Sequence, residues 1–219
     1  CSDKVFVVCD RYSAYKKLAR LNPAIILAFC WVHVRRDFLE LARSHPDLEA
    51  WGLDWVEDIG RLYHLNKQRL EQWDPSLSLA KQSAAFQVCH QALETALTDM
   101  MLLCECLLEA DEKAQAQAGK SPCKLDIAQR KVLTSLKAHW AGLLIFVAHP
   151  IVPMDNNTAE RAVRGPVTGR KNYYGSGSIW SAKQAAMLFS IFQTMRLCHL
   201  NPRTWLYLYL ESCANNGGE

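Results

Sequence analysis

The sequence lacks several features that would assign it to a special class of protein. Its 219 residues contain no low-complexity tract, no Cys-x-x-Cys pair and no continuous apolar run of the roughly 18 residues that a membrane-spanning helix needs. A basic segment followed by an apolar one is missing near the start, so we expect no signal peptide. Apolar residues make up 50% and charged residues 21%, which predicts a globular protein with a sizeable core.

Cysteine and charge add two expectations about compartment and partner. The nine cysteines are an odd number and several lie in apolar segments, which favours reduced thiols in a cytoplasmic protein over disulfides. Residues 155–203 carry seven Lys or Arg against two Asp or Glu, and residues 1–40 carry seven against four. This excess predicts a polyanionic partner at both ends of the chain, although ordinary surface scatter is an alternative.

The order of the elements predicts a sheet covered by helices. Residues 5–9 and 24–29 are short apolar runs typical of buried strands, and each is followed by a helical pattern, at about 12–20 and 31–44. Residues 51–73, 77–110 and 126–148 have only helical spacing, which indicates a second helical domain or a helical insertion. We expect further helices at 157–164, 180–199 and 202–213, with Gly165-Pro166 ending the first of them.

Asp10 is the first candidate for a functional site. It follows the first predicted strand, and ligand sites collect where the strands of an open sheet end. A turn or helix-capping aspartate is the alternative. Cys30 and His33, further along, have a spacing that could serve zinc, but no second closely spaced pair completes four ligands, so we expect a structural role. The next residues, Arg35 and Arg36, could contact phosphates or form a solvated face.

The segment around Glu160 is richer in candidate residues. Glu160 and Arg164 share a helix face at i and i+4, and Arg161 lies about 100° round the helix. A carboxylate between two arginines suits a site for a divalent cation and phosphate, whereas Asn157 and Glu160 also have the spacing of a capping box. The following stretch, predicted to be a loop, mixes basic and aromatic residues that could bind phosphates or lie on a plain surface: Arg170, Lys171, Asn172, Tyr173 and Tyr174.

Phosphodiester chemistry would explain this set of residues. Two Mg²⁺ or Mn²⁺ ions roughly 4 Å apart activate the attacking oxygen and stabilise the leaving one, and they need a cluster of oxygen ligands. The sequence supplies two candidate carboxylates for such a two-metal site, Asp10 and Glu160.

The order of four motifs resembles the bacterial insertion-sequence transposases of the sixty-six family, a DDE group. The motifs are Asp10-Arg11-Tyr12-Ser13-Ala14-Tyr15, the stretch from Cys30 to Phe38, the stretch from Asp155 to Arg164, and Gly169-Arg170-Lys171-Asn172. The resemblance implies DNA cleavage and strand transfer at the ends of a mobile element. It also implies a cytoplasmic, nucleoid-associated protein and a possible homodimer, with no membrane partner.

The resemblance also implies a fold and roles for particular residues. The fold is α/β, a partial ribonuclease-H-like core at 1–45 and 151–219 with a large helical insertion at 46–150, mostly α overall. Asp10 matches the second catalytic Asp and Glu160 the catalytic Glu, both as metal ligands, while Cys30 and His33 match a Cys-x-x-His signature. The remaining matches lie in the basic stretch expected to contact DNA: Arg161, Arg164, Arg170 and Lys171.

Some family features are missing. The first catalytic Asp belongs on a strand upstream of the one ending at Asp10, and Asp3 lies at the beginning of that same strand, so it cannot take its place. The usual Asp-Gly-Tyr is Asp10-Arg11-Tyr12 here, and the N-terminal helix-turn-helix and zinc-binding parts do not occur. We therefore expect a catalytically incomplete fragment, with metal bound only in the intact protein. A non-catalytic DNA-binding or assembly module and a helical protein-interaction domain are the alternatives.

Overall fold

The computed structural model describes residues 4–116, 125–172 and 175–217. The chain divides into two compact units, Cys1–Asn156 and Asn157–Glu219. The first unit contains two strands, β1 (Val5–Cys9) and β2 (Ile25–Phe29). Its helices are α1 (Ser13–Leu21), α2 (Trp31–Ser44), α3 (Glu49–Glu71), α4 (Ala84–Ala116), α5 (Ile127–Leu143) and α6 (Ile145–Ala148). The second unit consists of α7 (Asn157–Asn172), α8 (Ile179–Leu197) and α9 (Pro202–Asn215).

The two strands pair in parallel, with Val5 opposite Ile25 and Cys9 opposite Phe29. Helix α1 connects them, as the apolar runs and the intervening helical pattern predicted. The strands are buried only toward their C-terminal ends. Cys9 and Ala28 are buried, whereas Val5, the first residue of β1, is 55% exposed. The predicted α/β character and the mostly helical content are confirmed, while a ribonuclease-H-like core stays a prediction.

Helix α2 joins the strands to the helical region through one apolar face. Trp31, Val34 and Phe38 recur at helical spacing and are at most 1% exposed. Phe38 stacks on Trp55 of α3 with the ring centroids 5.0 Å apart, and α4 and α5 complete the same core. The predicted boundary between residues 45 and 46 stays a prediction, since both sides of it contribute to this core.

Close approach between α5 and β2 depends on a glycine. A Cβ atom on Gly142 would lie 2.4 Å from the Cδ2 atom of Phe29 and 3.2 Å from the carbonyl oxygen of Leu27. Because no real side chain tolerates such a contact with its neighbours unmoved, glycine allows the helix to lie directly on the strand.

Two buried charged groups also hold the helices of the first unit together. Arg69 is 0% exposed and donates to the carbonyl oxygens of Phe146 and Val147, at 2.9 and 3.0 Å, which satisfies acceptors in α6. Burial lowers the pKa of its guanidinium to about 10. Asp111, at the C-terminal end of α4, accepts hydrogen bonds from Arg130 of α5 and from the backbone N–H of Leu125.

One stretch of the described residues, Ile127–Ala148, has the length and apolarity of a membrane-spanning helix, with 22 residues and a mean hydropathy of 1.2. It comprises α5 and α6, and Leu133, Leu136, Leu143 and Phe146 within it are buried in the core of the first unit. Core helices of globular proteins meet the same criteria, so length and composition alone do not assign this stretch to a membrane.

The second unit buries none of its described residues. Ser178 caps α8 through a capping box with Ser181, and the side chain of Asn201 caps α9. Phe192 of α8 contacts Trp205 of α9 with the ring centroids 6.4 Å apart, whereas Trp180 is 71% exposed. Helices α8 and α9 begin within one residue of the predicted positions.

Helix α7 differs from its prediction. It was expected to end near Arg164, but it continues through Pro166 to Asn172. Gly165 gives a physical reason, because a proline normally disfavours helix at the preceding residue partly by colliding with its Cβ atom, which glycine lacks. Arg170 and Lys171 therefore lie in the last turn of a helix and not in a loop. Tyr173 and Tyr174 lie outside the described residues.

The structure describes seven of the nine cysteines. All seven described cysteines are free thiols: Cys9, Cys30, Cys89, Cys104, Cys106, Cys198 and Cys213. Cys9, Cys30 and Cys104 are buried, which agrees with the expectation of reduced, partly buried thiols.

Candidate metal and nucleic-acid site

Asp10 lies directly after the last residue of β1, at the edge where the parallel pair ends. Its Oδ1 atom accepts a hydrogen bond of 2.9 Å from the backbone N–H of Tyr12, which shapes the turn into α1. Asp10 therefore stabilises the turn. It does not exclude metal binding, because a carboxylate has several lone pairs on two oxygens.

Arg11 reaches out of the same turn toward α2 and α5. It donates to the carboxylate of Asp37 at 2.5 Å, to the carbonyl oxygen of His33 at 3.2 Å and to the hydroxyl of Ser135 at 3.0 Å. The sequence patterns did not identify the residues that hold this turn. The available signal was an arginine beside the candidate carboxylate, but nothing local indicated its partners, which lie 22 to 124 residues away in the chain.

Cys30 and His33 are placed by the start of α2. Cys30 is 0% exposed, and burial raises the pKa of its thiol, which disfavours the thiolate that zinc would need. The backbone N–H of Cys30 donates to the carbonyl oxygen of Cys9, at 2.9 Å, and so ties the end of β1 to α2. The structural role expected of Cys30 and His33 as a pair stays a prediction.

The segment leading to α7 is also held at the start of α2. The backbone N–H of Trp31 donates to the carbonyl oxygen of Met154 at 2.9 Å. The indole N–H of the same residue donates to the carbonyl oxygen of Leu143, in α5, at 2.9 Å. Nearby, burial raises the pKa of Tyr63, and the negative charge of Asp155 raises it further. The residues that precede α7 are therefore fixed within the first unit.

Arg35 and Arg36 are both exposed on α2. Arg35 also lines an open cleft of about 820 Å³ together with the carboxylates of Asp54, Glu57 and Asp58. A phosphate near Arg35 would therefore meet negative charge as well as positive, whereas Arg36 does not line this cleft.

Glu160 lies in the first turn of α7, where a carboxylate is favoured by the positive end of the helix dipole. Because α7 is continuous as far as Asn172, Arg164 and Lys171 fall at i+4 and i+11 and share the face of Glu160. Both cations are exposed, as are Arg161, Arg170 and Asn172. The capping alternative for Glu160 stays open.

A complete metal centre is not assembled by the residues that the structure describes. Among them, no group of three or more His, Cys, Asp or Glu side chains is arranged to hold a metal ion. Asp10 belongs to the first unit and Glu160 to the second. Carboxylate oxygens suit Mg²⁺ or Mn²⁺, but within these ranges the two candidates lack the further ligands of a two-metal site.

Comparison with known proteins decides the family. The family profile described as Transposase IS66 family matches residues 2–184, a range that includes Asp10, the Cys30 and His33 pair, and Glu160. The chain belongs to the IS66 transposase family. The resemblance deduced from the four motifs is therefore confirmed, and α9 lies outside the matched range.

Three relatives of this IS66 chain come from Sinorhizobium fredii (strain NBRC 101917 / NGR234), and each is named as uncharacterized. The protein y4jD is 27% identical over 207 residues, which is 92% of this chain and 36% of the relative. The proteins y4hP and y4qI are 25% and 29% identical over 94% and 90% of the chain. The chain spans about a third of the length of these curated relatives. No solved structure matches it.

Proposed function

We propose that this IS66 chain is part of the catalytic core of a DNA transposase, in which Asp10 and Glu160 supply two of the metal-binding carboxylates. The core would cleave DNA at transposon ends and transfer the strands to a target. The observation that carries the proposal is the position of Asp10, at the end of a parallel strand within a chain of this family. A ribonuclease-H-like arrangement of the complete core is part of the proposal.

Mg²⁺ or Mn²⁺ would be the cofactor. When bound by a full set of oxygen ligands, such ions activate the attacking oxygen and stabilise the leaving one. The described residues do not complete that set, so further ligands would come from other parts of the transposase. Catalysis is therefore proposed for the intact protein and not for these 219 residues alone.

DNA would be bound through phosphate contacts by the cations of α7, with Arg35 and Arg36 of α2 as further contacts. The proposed residues of α7 are Arg161, Arg164, Arg170, Lys171 and Asn172. Phosphate contacts position a protein on DNA without reading its sequence. A homodimer that holds two transposon ends, and a place at the nucleoid in the cytoplasm, belong to the same proposal.

Substitution of the two carboxylates tests the metal function. In the intact transposase, Asp10→Asn and Glu160→Gln should each abolish Mn²⁺-dependent cleavage while leaving folding and DNA binding in place, because each removes a charge and almost no volume. Cleavage would be followed on labelled transposon-end DNA, with Glu112→Gln, an exposed carboxylate of α4, as the control. Because glutamine can also close a capping box, loss of soluble protein in Glu160→Ala but not in Glu160→Gln would instead assign Glu160 to helix capping.

A non-catalytic DNA-binding or assembly module is the second candidate. It is favoured by the lack of a three-ligand group among the described residues. The two functions differ in the intact protein, since a module of this kind would bind DNA with the same affinity with and without Mn²⁺ and would cleave nothing. Strand transfer by the 219-residue chain alone would contradict both the module and the proposed incompleteness.

A further inference from the structure

Arg11 connects the turn that carries Asp10 to two separate helices. Its side chain is only 14% exposed. Three of its hydrogen bonds reach Asp37 and the carbonyl of His33 on α2, and the hydroxyl of Ser135 on α5. A guanidinium suits this position, because its planar fork donates in several fixed directions at once, which a lysine ammonium does not do.

Asp10 is held from both sides by its neighbours in the chain. Before it, the carbonyl oxygen of Cys9 accepts the backbone N–H of Cys30 at 2.9 Å. After it, Arg11 donates hydrogen bonds to residues of α2 and α5. The bond that Asp10 itself makes, to the backbone N–H of Tyr12, stays within the turn. The place of the carboxylate relative to the rest of the first unit therefore depends on Cys9 and Arg11.

A second contact holds α1 against α5 close to the same turn. Lys16 Nζ lies 2.6 Å from His139 Nε2, and His139 Nδ1 lies 2.7 Å from the carbonyl oxygen of Ser135. Since a carbonyl only accepts, Nδ1 carries a proton, and Nε2 accepts from the lysine in a neutral imidazole. Helix α5 thus supports both the turn and the helix that follows it.

We infer that Arg11 is a positioning residue that holds the carboxylate of Asp10 in place by joining the β1–α1 turn to α2 and α5. This inference rests on the proposed function, in which Asp10 binds the metal. It also gives part of the helical region a role, because Ser135 and His139 support the turn from within the segment predicted as an insertion. Arg11 occupies the position where the resemblance gives glycine, which has no side chain to make these bonds.

The first test compares two variants that each remove one cation near Asp10. Arg11→Met removes the hydrogen bonds from the Arg11 guanidinium to α2 and α5, whereas Lys17→Met removes an exposed charge of α1. Loss of positive charge alone would tighten Mn²⁺ binding, since like charges repel. Loss of positioning should weaken it roughly tenfold, as is typical when a group that orients a ligand is removed. Paramagnetic resonance titration of the intact transposase with Mn²⁺ measures both affinities, and tighter binding by Arg11→Met would overturn the inference.

The second test needs no metal. Exchange of the Tyr12 amide proton with water, measured by NMR, reports on its bond to Asp10. We expect about fivefold faster exchange in Arg11→Met, a factor typical of one net hydrogen bond, and no change in Lys17→Met. Unchanged exchange in Arg11→Met would overturn the inference. Faster exchange would support it even if the intact wild-type transposase bound no Mn²⁺, a result that would count against the proposed metal site instead.

Two further variants cover the case in which Arg11→Met does not fold. Arg11→Lys keeps the charge but loses the fork, and Asp37→Asn keeps the bonds of Arg11 to His33 and Ser135. Both should show intermediate exchange of the Tyr12 amide and intermediate Mn²⁺ affinity. Wild-type values in both variants would mean that the ion pair does not position Asp10.

Discussion

Asp111 shows what a single buried side chain does for the first unit. Its carboxylate is 1% exposed and accepts from Arg130, Gln115 and the backbone N–H of Leu125, so it connects the end of α4 to the start of α5. Breaking a buried ion pair from one side is costly because it leaves the other charge without its partner. The hydrogen bonds from Arg130 hold the pKa of this carboxyl below its ordinary value of 3.8.

Asp111→Asn should destabilise the chain by roughly 2 kcal/mol, measured by urea unfolding, because charge-assisted hydrogen bonds are lost while Arg130, at 35% exposure, regains contact with water. Because the folded-state pKa is lower than the unfolded one, this stabilisation is present above about pH 4 and is lost as the pH falls through the folded-state pKa. The difference between wild type and variant should therefore shrink in acid. Glu112→Gln, an exposed neighbour, is the matched control, and an equal loss in both variants would contradict a special role for Asp111.

At the same scale, the sequence indicated candidate site residues but not the side chains that support them. Asp10 was identified from its place after an apolar run, a local pattern. Arg11, Asp37 and Ser135 were not, because their association depends on how α2 and α5 pack against the strands. Patterns of apolar spacing indicate which face of a helix is buried, but they do not pair polar side chains that are distant in the chain.

Among the elements, α7 determines how the basic residues are presented. The sequence predicted a helix followed by a basic loop, since a Gly-Pro pair usually ends a helix. That prediction was wrong for residues 165–172, because glycine before the proline removes part of the steric conflict. As a consequence, Arg164 and Lys171 lie on one face with Glu160 and could follow the backbone of a bound DNA strand.

Lys171→Ala tests that face of α7. It should weaken binding to DNA of unrelated sequences alike, and it should reduce the slope of the logarithm of affinity against the logarithm of salt concentration by about 1. Fluorescence anisotropy with two unrelated duplexes across a salt series measures both effects. Lys183→Ala removes one exposed cation from α8 and is the control. Equal effects of the two substitutions would mean that net charge, and not the face of α7, binds DNA.

For the molecule as a whole, the division at Asn156 and Asn157 separates a unit with a large core from one in which none of the described residues is buried. The nearest predicted segment boundary, between residues 150 and 151, lies six residues earlier, and the division itself falls inside the Asp155 to Arg164 motif and not at a linker rich in glycine or proline. The order of strands and helices was predictable, since apolar periodicity is local. The division into units was not predictable from the sequence, because it depends on which helix faces pack against one another.

Hydrogen exchange should differ strongly between the two units. Helices with few buried apolar contacts open at low free energy, so amides of α8 and α9 should exchange much faster than those of α3 and α4. Mass spectrometry of the full chain, with peptides assigned to each helix, measures the difference. Equal protection in the two units would show that α8 and α9 are covered in solution, and repeating the measurement over a range of concentrations would reveal whether a second copy covers them.

The most buried and the most exposed tryptophans lie in different units. Trp31 and Trp55 are enclosed in the core of the first unit, at 0% and 3% exposure, while Trp180 at the start of α8 is 71% exposed. A water-soluble collisional quencher therefore reaches the indole of Trp180 more readily than those of Trp31 and Trp55, and it reaches the partly exposed Trp51, Trp73, Trp140 and Trp205 to an intermediate degree. Loss of the most accessible fraction of the quenching on addition of DNA would reveal occupation of the second unit near Trp180, with no label attached, while the least quenched emission continued to report the integrity of the first.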